Sequence, residues 1–117
     1  MNPEIKAAWV ADLRENGHLQ GGGYLRKADE SGVERYCCLG RLCELAVEAG
    51  VIFRAATLGT EGYGGGWDWR AGHLPRPVIE WAEMNSATPV AGGTPLSVLN
   101  DNGTPFSEIA NLIEEYL

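Results

Sequence analysis

Three cysteines, Cys37, Cys38 and Cys43, are the residues best suited to nucleophilic chemistry. Cys38 is expected near a helix N-terminus, where the helix dipole favours thiolate. With His73 as base and Asp68 or Asp101 as orienting acid, it could form a triad-like relay. Packing competes with this reading. Cys43 falls on the inward stripe of the following helix, and Cys37 and Cys38 alternate at a strand end, so at least one of that pair is buried. Small buried cysteines act as apolar packing residues. A Cys-dependent enzyme therefore ranks last, and the chain is read as non-enzymatic, with no catalytic residue assigned. An odd cysteine count with two adjacent is no disulfide framework and fits a reducing cytoplasm. Cys-Cys-x4-Cys is not a zinc spacing, and His18 and His73 lie far apart, so no metal or other cofactor is expected.

Ligand-binding chemistry is better represented. Gly64-Gly65-Gly66-Trp67-Asp68-Trp69-Arg70 sets two indoles and a guanidinium beside a permissive backbone. In an extended segment Trp67 and Trp69 share one face, with Asp68 opposite. Tyr24 and Arg26 repeat the pattern on a second segment, and His73 follows the first. Indoles stack on bases, and arginine forks match phosphate oxygens. The expected ligand-binding set is Tyr24, Arg26, Trp67, Trp69, Arg70 and His73, and it suits a small nucleotide-like molecule. The competing reading folds Trp67 and Trp69 back over the core. Neither Gly21-Gly22-Gly23 nor Gly64-Gly65-Gly66 matches a P-loop or dinucleotide fingerprint. Leu99-Asn100-Asp101-Asn102-Gly103 lacks calcium-loop spacing and reads as a turn.

These residues need elements to position them. The chain has 117 residues, 44% of them hydrophobic, which suffices for one domain with a real core. Asn2-Pro3 starts a helix whose Ile5, Trp9 and Leu13 face inward, and Asn16-Gly17 ends it with types that tolerate positive φ. Residues 24–27 and 34–38 flank a polar loop and read as a β-hairpin. The next helix carries Leu39, Leu42, Cys43, Ala46 and Val47 on one stripe, with Gly40 marking close backbone packing. Val51-Ile52-Phe53 reads as a short strand and 59–73 as a glycine- and aromatic-rich loop. Leu74-Pro75-Arg76-Pro77 starts a helix with Val78, Trp81 and Ala82 inward. Residues 84–93 are a connection, and Thr94-Pro95 opens a short helical turn over 96–99. Thr104-Pro105 caps a last helix with the stripe Phe106, Ile109, Ala110, Ile113 and Leu117. The class is α+β: a single compact domain of about four helices on a small antiparallel sheet.

Charge narrows the partners. The net charge is −7, and residues 77–117 contribute six acidic groups with no Lys or Arg. Direct binding of a nucleic-acid polymer is not expected, because phosphate neutralisation needs a basic face. No apolar run reaches membrane-spanning length, so no membrane partner is expected. Met1-Asn2-Pro3-Glu4 has neither the basic nor the apolar region of a secretory signal.

Four stretches carry a resemblance: Gly-Tyr-Leu-Arg (23–26), Tyr-Cys-Cys-Leu-Gly-x-Leu-Cys-x-Leu-Ala (36–46), Leu-Pro-x-x-Val-x-x-Trp (74–81) and Leu-Asn-Asp-x-Gly-x-x-Phe-x-x-Ile-Ala-x-Leu-Ile-Glu (99–114). Together they resemble a group of small proteins encoded by actinobacteriophages and related bacterial genomes. The resemblance implies a phage or prophage origin and action in the cytoplasm of an infected bacterial host. It assigns no catalytic residue and does not extend over 59–72. The resulting expectation is a counter-defence protein that sequesters a small nucleotide signal, in the form of a homo-oligomer. The alternative is an acidic inhibitor that docks residues 77–117 on a host nuclease or other defence protein.

Overall fold

The computed structural model describes residues 1–54, 72–117 and the backbone of 63–64. Helix α1 spans Pro3–Glu15 and starts as its sequence dictates. The Asn2 Oδ1 accepts from the Glu4 and Ile5 amides at 2.9 and 3.1 Å, and Pro3 occupies the first turn. Trp9, Val10 and Leu13 form its buried face. Its end differs from expectation. Asn16 has φ −113°, and a 3-10 turn, Gly17–Leu19, follows without any left-handed residue.

Strands β1 (Arg26–Ala28) and β2 (Glu34–Tyr36) form the expected antiparallel hairpin, with Arg26 opposite Tyr36. Asp29 organises the loop as an Asx turn. Its Oδ1 accepts from the Ser31 hydroxyl at 2.6 Å and from the Ser31 and Val33 amides, while its Oδ2 accepts from Arg35 Nε at 3.0 Å. The Ser31 hydroxyl and the Arg35 guanidinium hold this carboxyl well below its usual range.

Helix α2 (Cys38–Glu48) runs directly out of β2 and buries Cys38, Leu39, Gly40, Leu42, Cys43, Glu44 and Ala46. Gly40 is required by contact. A Cβ there would sit 1.8 Å from the Leu25 carbonyl oxygen. A two-residue pair follows, β3 (Phe53–Arg54) with β4 (Tyr63–Gly64). Helix α3 (Arg76–Trp81) ends in a Schellman motif, with the Met84 amide on the Ile79 carbonyl at 2.9 Å and Glu83 left-handed at φ +56°.

The expected connection over 84–93 instead supplies β5 (Val90–Ala91) and the Gly92-Gly93 turn, at φ +65° and +88°, of a third antiparallel pair whose second strand is β6 (Thr94–Pro95). Positive φ at both central residues is what a tight hairpin turn demands. Thr94-Pro95 is thus a strand. Helix α4 (Leu96–Asp101) follows at once, so Asn100 and Asp101 lie in a helix and only Asn102-Gly103 turn. Helix α5 (Phe106–Tyr116) buries Phe106, Ile109, Ala110 and Ile113, as its stripe predicts.

The α+β single domain stands, with two refinements. The described residues form five α-helices, where about four were expected. Their strands make three separate antiparallel pairs rather than one sheet. The core joins α1, α2 and α5 through Trp9, Leu13, Leu39, Leu42, Phe106, Ile109 and Ile113, all fully buried. The Trp9 indole donates to the Cys38 carbonyl at 2.9 Å, so this tryptophan packs and also satisfies its polar atom.

Candidate functional site

The thiols are settled by burial. Cys37, Cys38 and Cys43 are all buried, and desolvation pushes the Cys37 thiol to about 11 and the other two well above their usual value. Cys38 does begin a helix, but its amide donates to Asn100 Oδ1 at 3.1 Å and its Sγ points to the Leu96 carbonyl at 3.6 Å. The dipole argument for an activated Cys38 therefore fails against the cost of burying a thiolate. Among the described residues no group of His, Cys, Asp and Glu could hold a metal ion.

The aromatic–arginine strips divide. Trp67, Trp69 and Arg70, with Asp68, lie outside the described residues. Tyr24 is 40% exposed, but Arg26 is 9% exposed and ion-paired with Glu34. The two do not form a shared exposed strip, because β1 begins only at Arg26. Lys27 takes the cationic place instead, its Nζ 4.3 Å from the centre of the Tyr24 ring.

Arg26 belongs to a balanced internal network. The Tyr36 hydroxyl donates to Glu34 at 3.0 Å and lies 3.5 Å from Glu44, and Arg54 forks onto Glu44 at 2.6 and 3.1 Å. Burial and these two carboxylates push the Tyr36 phenol well up. Arg41 stacks on the Tyr36 ring at 4.6 Å and binds Asp12 bidentately at 2.7 and 2.8 Å. Three guanidiniums thus meet three carboxylates, and together they tie the hairpin to α2, α1 and β3. This is positioning chemistry.

Helix α4 is what assembles a site. Its inner side is anchored by Leu96 and Asn100, both buried. Its outer arc carries Ser97, Val98 and Asp101, which fall within about a third of a turn of one another. At one end of the arc, Asp101 Oδ1 accepts from the Gly23 amide at 3.0 Å and fixes the segment that carries Tyr24. At the other, a Cβ on Gly72 would lie 3.5 Å from the Ser97 Cβ, which sets His73 beside the start of the helix. Gly23 and Gly72, 49 residues apart in the chain and next to Tyr24 and His73, thereby meet the two ends of one helical turn. Val98, on the same helix, is 45% exposed.

The glycines around this arc have individual reasons. A Cβ on Gly21 would lie 2.7 Å from the Arg35 Cβ, and Gly23 has φ +81°. Gly22 faces Asp101 at 3.4 Å. The triplet is therefore a fitted turn that lets Tyr24 approach α4. Sequence reasoning missed Lys27, Ser97, Val98 and Asp101 as members of this site. The available signal was Leu-Asn-Asp over 99–101, which it assigned to a turn.

Among the described residues no helix is long and apolar enough to cross a membrane. No curated protein and no solved structure matches the chain. The chain belongs to the family described as a domain of unknown function, DUF8296, whose model matches residues 1–117.

Proposed function

We propose that this protein is a non-enzymatic binding protein that takes a small, planar, anionic ligand of the nucleotide class over the outer arc of α4. The observation that carries the reading is the convergence on that arc of the Tyr24 and His73 segments, with the Gly23 amide bonded to Asp101 and Gly72 so near Ser97 that an added Cβ would meet it at 3.5 Å. Tyr24 offers for stacking the ring face opposite the one covered by the Lys27 ammonium. Val98 offers apolar contact, and Asp101 an acceptor for sugar hydroxyls. Trp67, Trp69 and Arg70 immediately precede Gly72 and complete the ligand set in this proposal. Binding without turnover accords with three thiols that are buried and held protonated.

The resemblance to phage-encoded proteins supplies a context. Sequestering a nucleotide signal in the cytoplasm of an infected bacterium would counter a defence that depends on it. A homo-oligomer would enclose the ligand further, because one turn of helix offers little concavity. The test is the thermal midpoint of the whole chain against linear and cyclic mono-, di- and trinucleotides. A ligand at about 100 times its Kd adds about 2.7 kcal/mol, a rise of several degrees for a domain of this size. A flat panel overturns the nucleotide class.

A further inference from the structure

A second surface lies on different elements. The Met84–Val90 stretch and the end of α5 enclose a groove of about 430 Å³ lined by Met1, Glu83, Met84, Val90, Tyr116 and Leu117, among others. Its apolar walls are open to solvent, with Val90 48% and Tyr116 55% exposed. The β5–β6 turn props the Tyr116 ring from behind, since a Cβ on Gly92 would lie 3.5 Å from its Cε2. A supported but exposed tyrosine beside an exposed aliphatic residue has the make-up of an interface anchor.

Among the described residues the one charged side chain lining the groove is the carboxylate of Glu83, and the Met1 ammonium lies at the same groove. Glu83 stands on its rim, held left-handed with its Oε2 accepting from Asn2 Nδ2 at 2.7 Å. Glu80 lies on α3 just before it, and Glu114 and Glu115 precede Tyr116 in sequence; all four carboxylates are exposed, with Glu114 paired to Arg14 at 3.2 Å. Among the described residues no lysine or arginine side chain lines the groove. A second copy of this chain fits poorly, because it would bring like charges together on a protein of net charge −7.

We infer that this groove docks a basic amphipathic segment of another protein, with an apolar side chain entering between Val90 and Tyr116 and flanking Lys or Arg reaching Glu80, Glu83 and Glu115. The inference stands apart from ligand binding over α4.

The test titrates the whole chain with two fluorescent peptides of equal length and charge, one alternating Lys with Leu and one alternating Lys with Ser. The Lys/Leu peptide is expected to bind at least about ten-fold tighter, and Tyr116→Ala and Val90→Ser each to weaken it about five-fold or more. Both residues are exposed, so these variants should keep the parent circular dichroism and melting midpoint, and a variant that does not is replaced by Glu83→Gln, expected to weaken binding at low salt. Equal affinity for the two peptides, or no effect of the variants, overturns the inference. So does self-association in sedimentation that Tyr116→Ala abolishes, because the occupant is then a second copy.

Discussion

The side-chain amides of Gln20 and Asn100 form one hydrogen-bonded unit that caps two helices at once. Gln20 Nε2 donates to Asn100 Oδ1 at 3.1 Å. That same Oδ1 accepts the first amide of α2, from Cys38, and Gln20 Oε1 accepts the first amide of α5, from Phe106, at 3.0 Å. Neither helix supplies its own side-chain cap, since Cys37 and Pro105 occupy those positions. The remaining groups are used as well: Asn100 Nδ2 donates to the Gly21 carbonyl at 2.7 Å and Gln20 Nε2 to the Thr104 carbonyl at 2.8 Å.

Asn100→Ala should therefore cost more than an ordinary cap. It strands the buried Cys38 amide, at about 1–3 kcal/mol for an unsatisfied group, and also removes the partner of the half-buried Gly21 carbonyl. Gln20→Ala should cost less, about 1–2 kcal/mol, because Gln20 is only half-buried. In urea unfolding the double variant should fall short of the sum by about 0.5–3 kcal/mol, as the two share a hydrogen bond. Full additivity would mean that the two amides act separately.

Gly40→Ala should be among the most damaging single-methyl changes in the chain. Its Cβ would overlap a backbone carbonyl oxygen, which cannot rotate away as a side chain can. Overpacking costs about 1–3 kcal/mol where side chains can yield, and this site should reach or exceed that. A midpoint in urea near that of the parent would show that β1 can shift off α2.

The thiols predict an alkaline limit. Burial holds the Cys37 thiol protonated in the fold up to about 11, while a thiol in the unfolded chain ionises from its ordinary value of 9.0. The folded state then binds more protons than the unfolded state between these values, so stability is full below pH 9 and falls as pH rises toward 11. The loss is at most about 1.4 kcal/mol per pH unit for each such thiol. Denaturation at pH 8 and pH 10 measures it. At pH 8 a thiol reagent should modify the cysteines only at the rate of opening, and rapid modification of the native protein would contradict their burial.

Tyr24 and Arg26, two residues apart, should behave oppositely. Arg26→Ala leaves Glu34 with only the Tyr36 hydroxyl at the hairpin, and should cost about 1–3 kcal/mol through the lost charge-assisted bond. Tyr24→Ala should change stability by no more than about 0.5 kcal/mol, as exposed substitutions do. Ligand affinity should show the reverse order. Melting midpoints with and without ligand separate the two.

Local signals in the sequence recovered much of the fold. The Asn2-Pro3 start, the 28–33 loop of the hairpin, the α5 stripe and the tight packing at Gly40 each follow from a few neighbouring residues. The β5–β6 hairpin did not, since two residues per strand leave no alternation to read, although Gly92-Gly93 carries the turn signal. Thr104-Pro105 looked like the cap of α5, yet the cap is Gln20, 86 residues away. The site was split in the same way. Tyr24 and His73 were legible as binding residue types, but their convergence depends on Asp101 and Ser97, and no local pattern announces a contact across that separation. Arg26 was misplaced because residue type says nothing of its ion pair with Glu34 across the hairpin.

The most direct test of the account is the backbone amide spectrum of the isotope-labelled chain, recorded during titration with the nucleotide that raises its melting midpoint most. Binding over α4 predicts that the largest shifts fall on Gly23, Tyr24, Lys27, His73, Ser97, Val98 and Asp101 and saturate together. Shifts centred instead on Val90 and Tyr116, or spread thinly over the acidic surface, would contradict it.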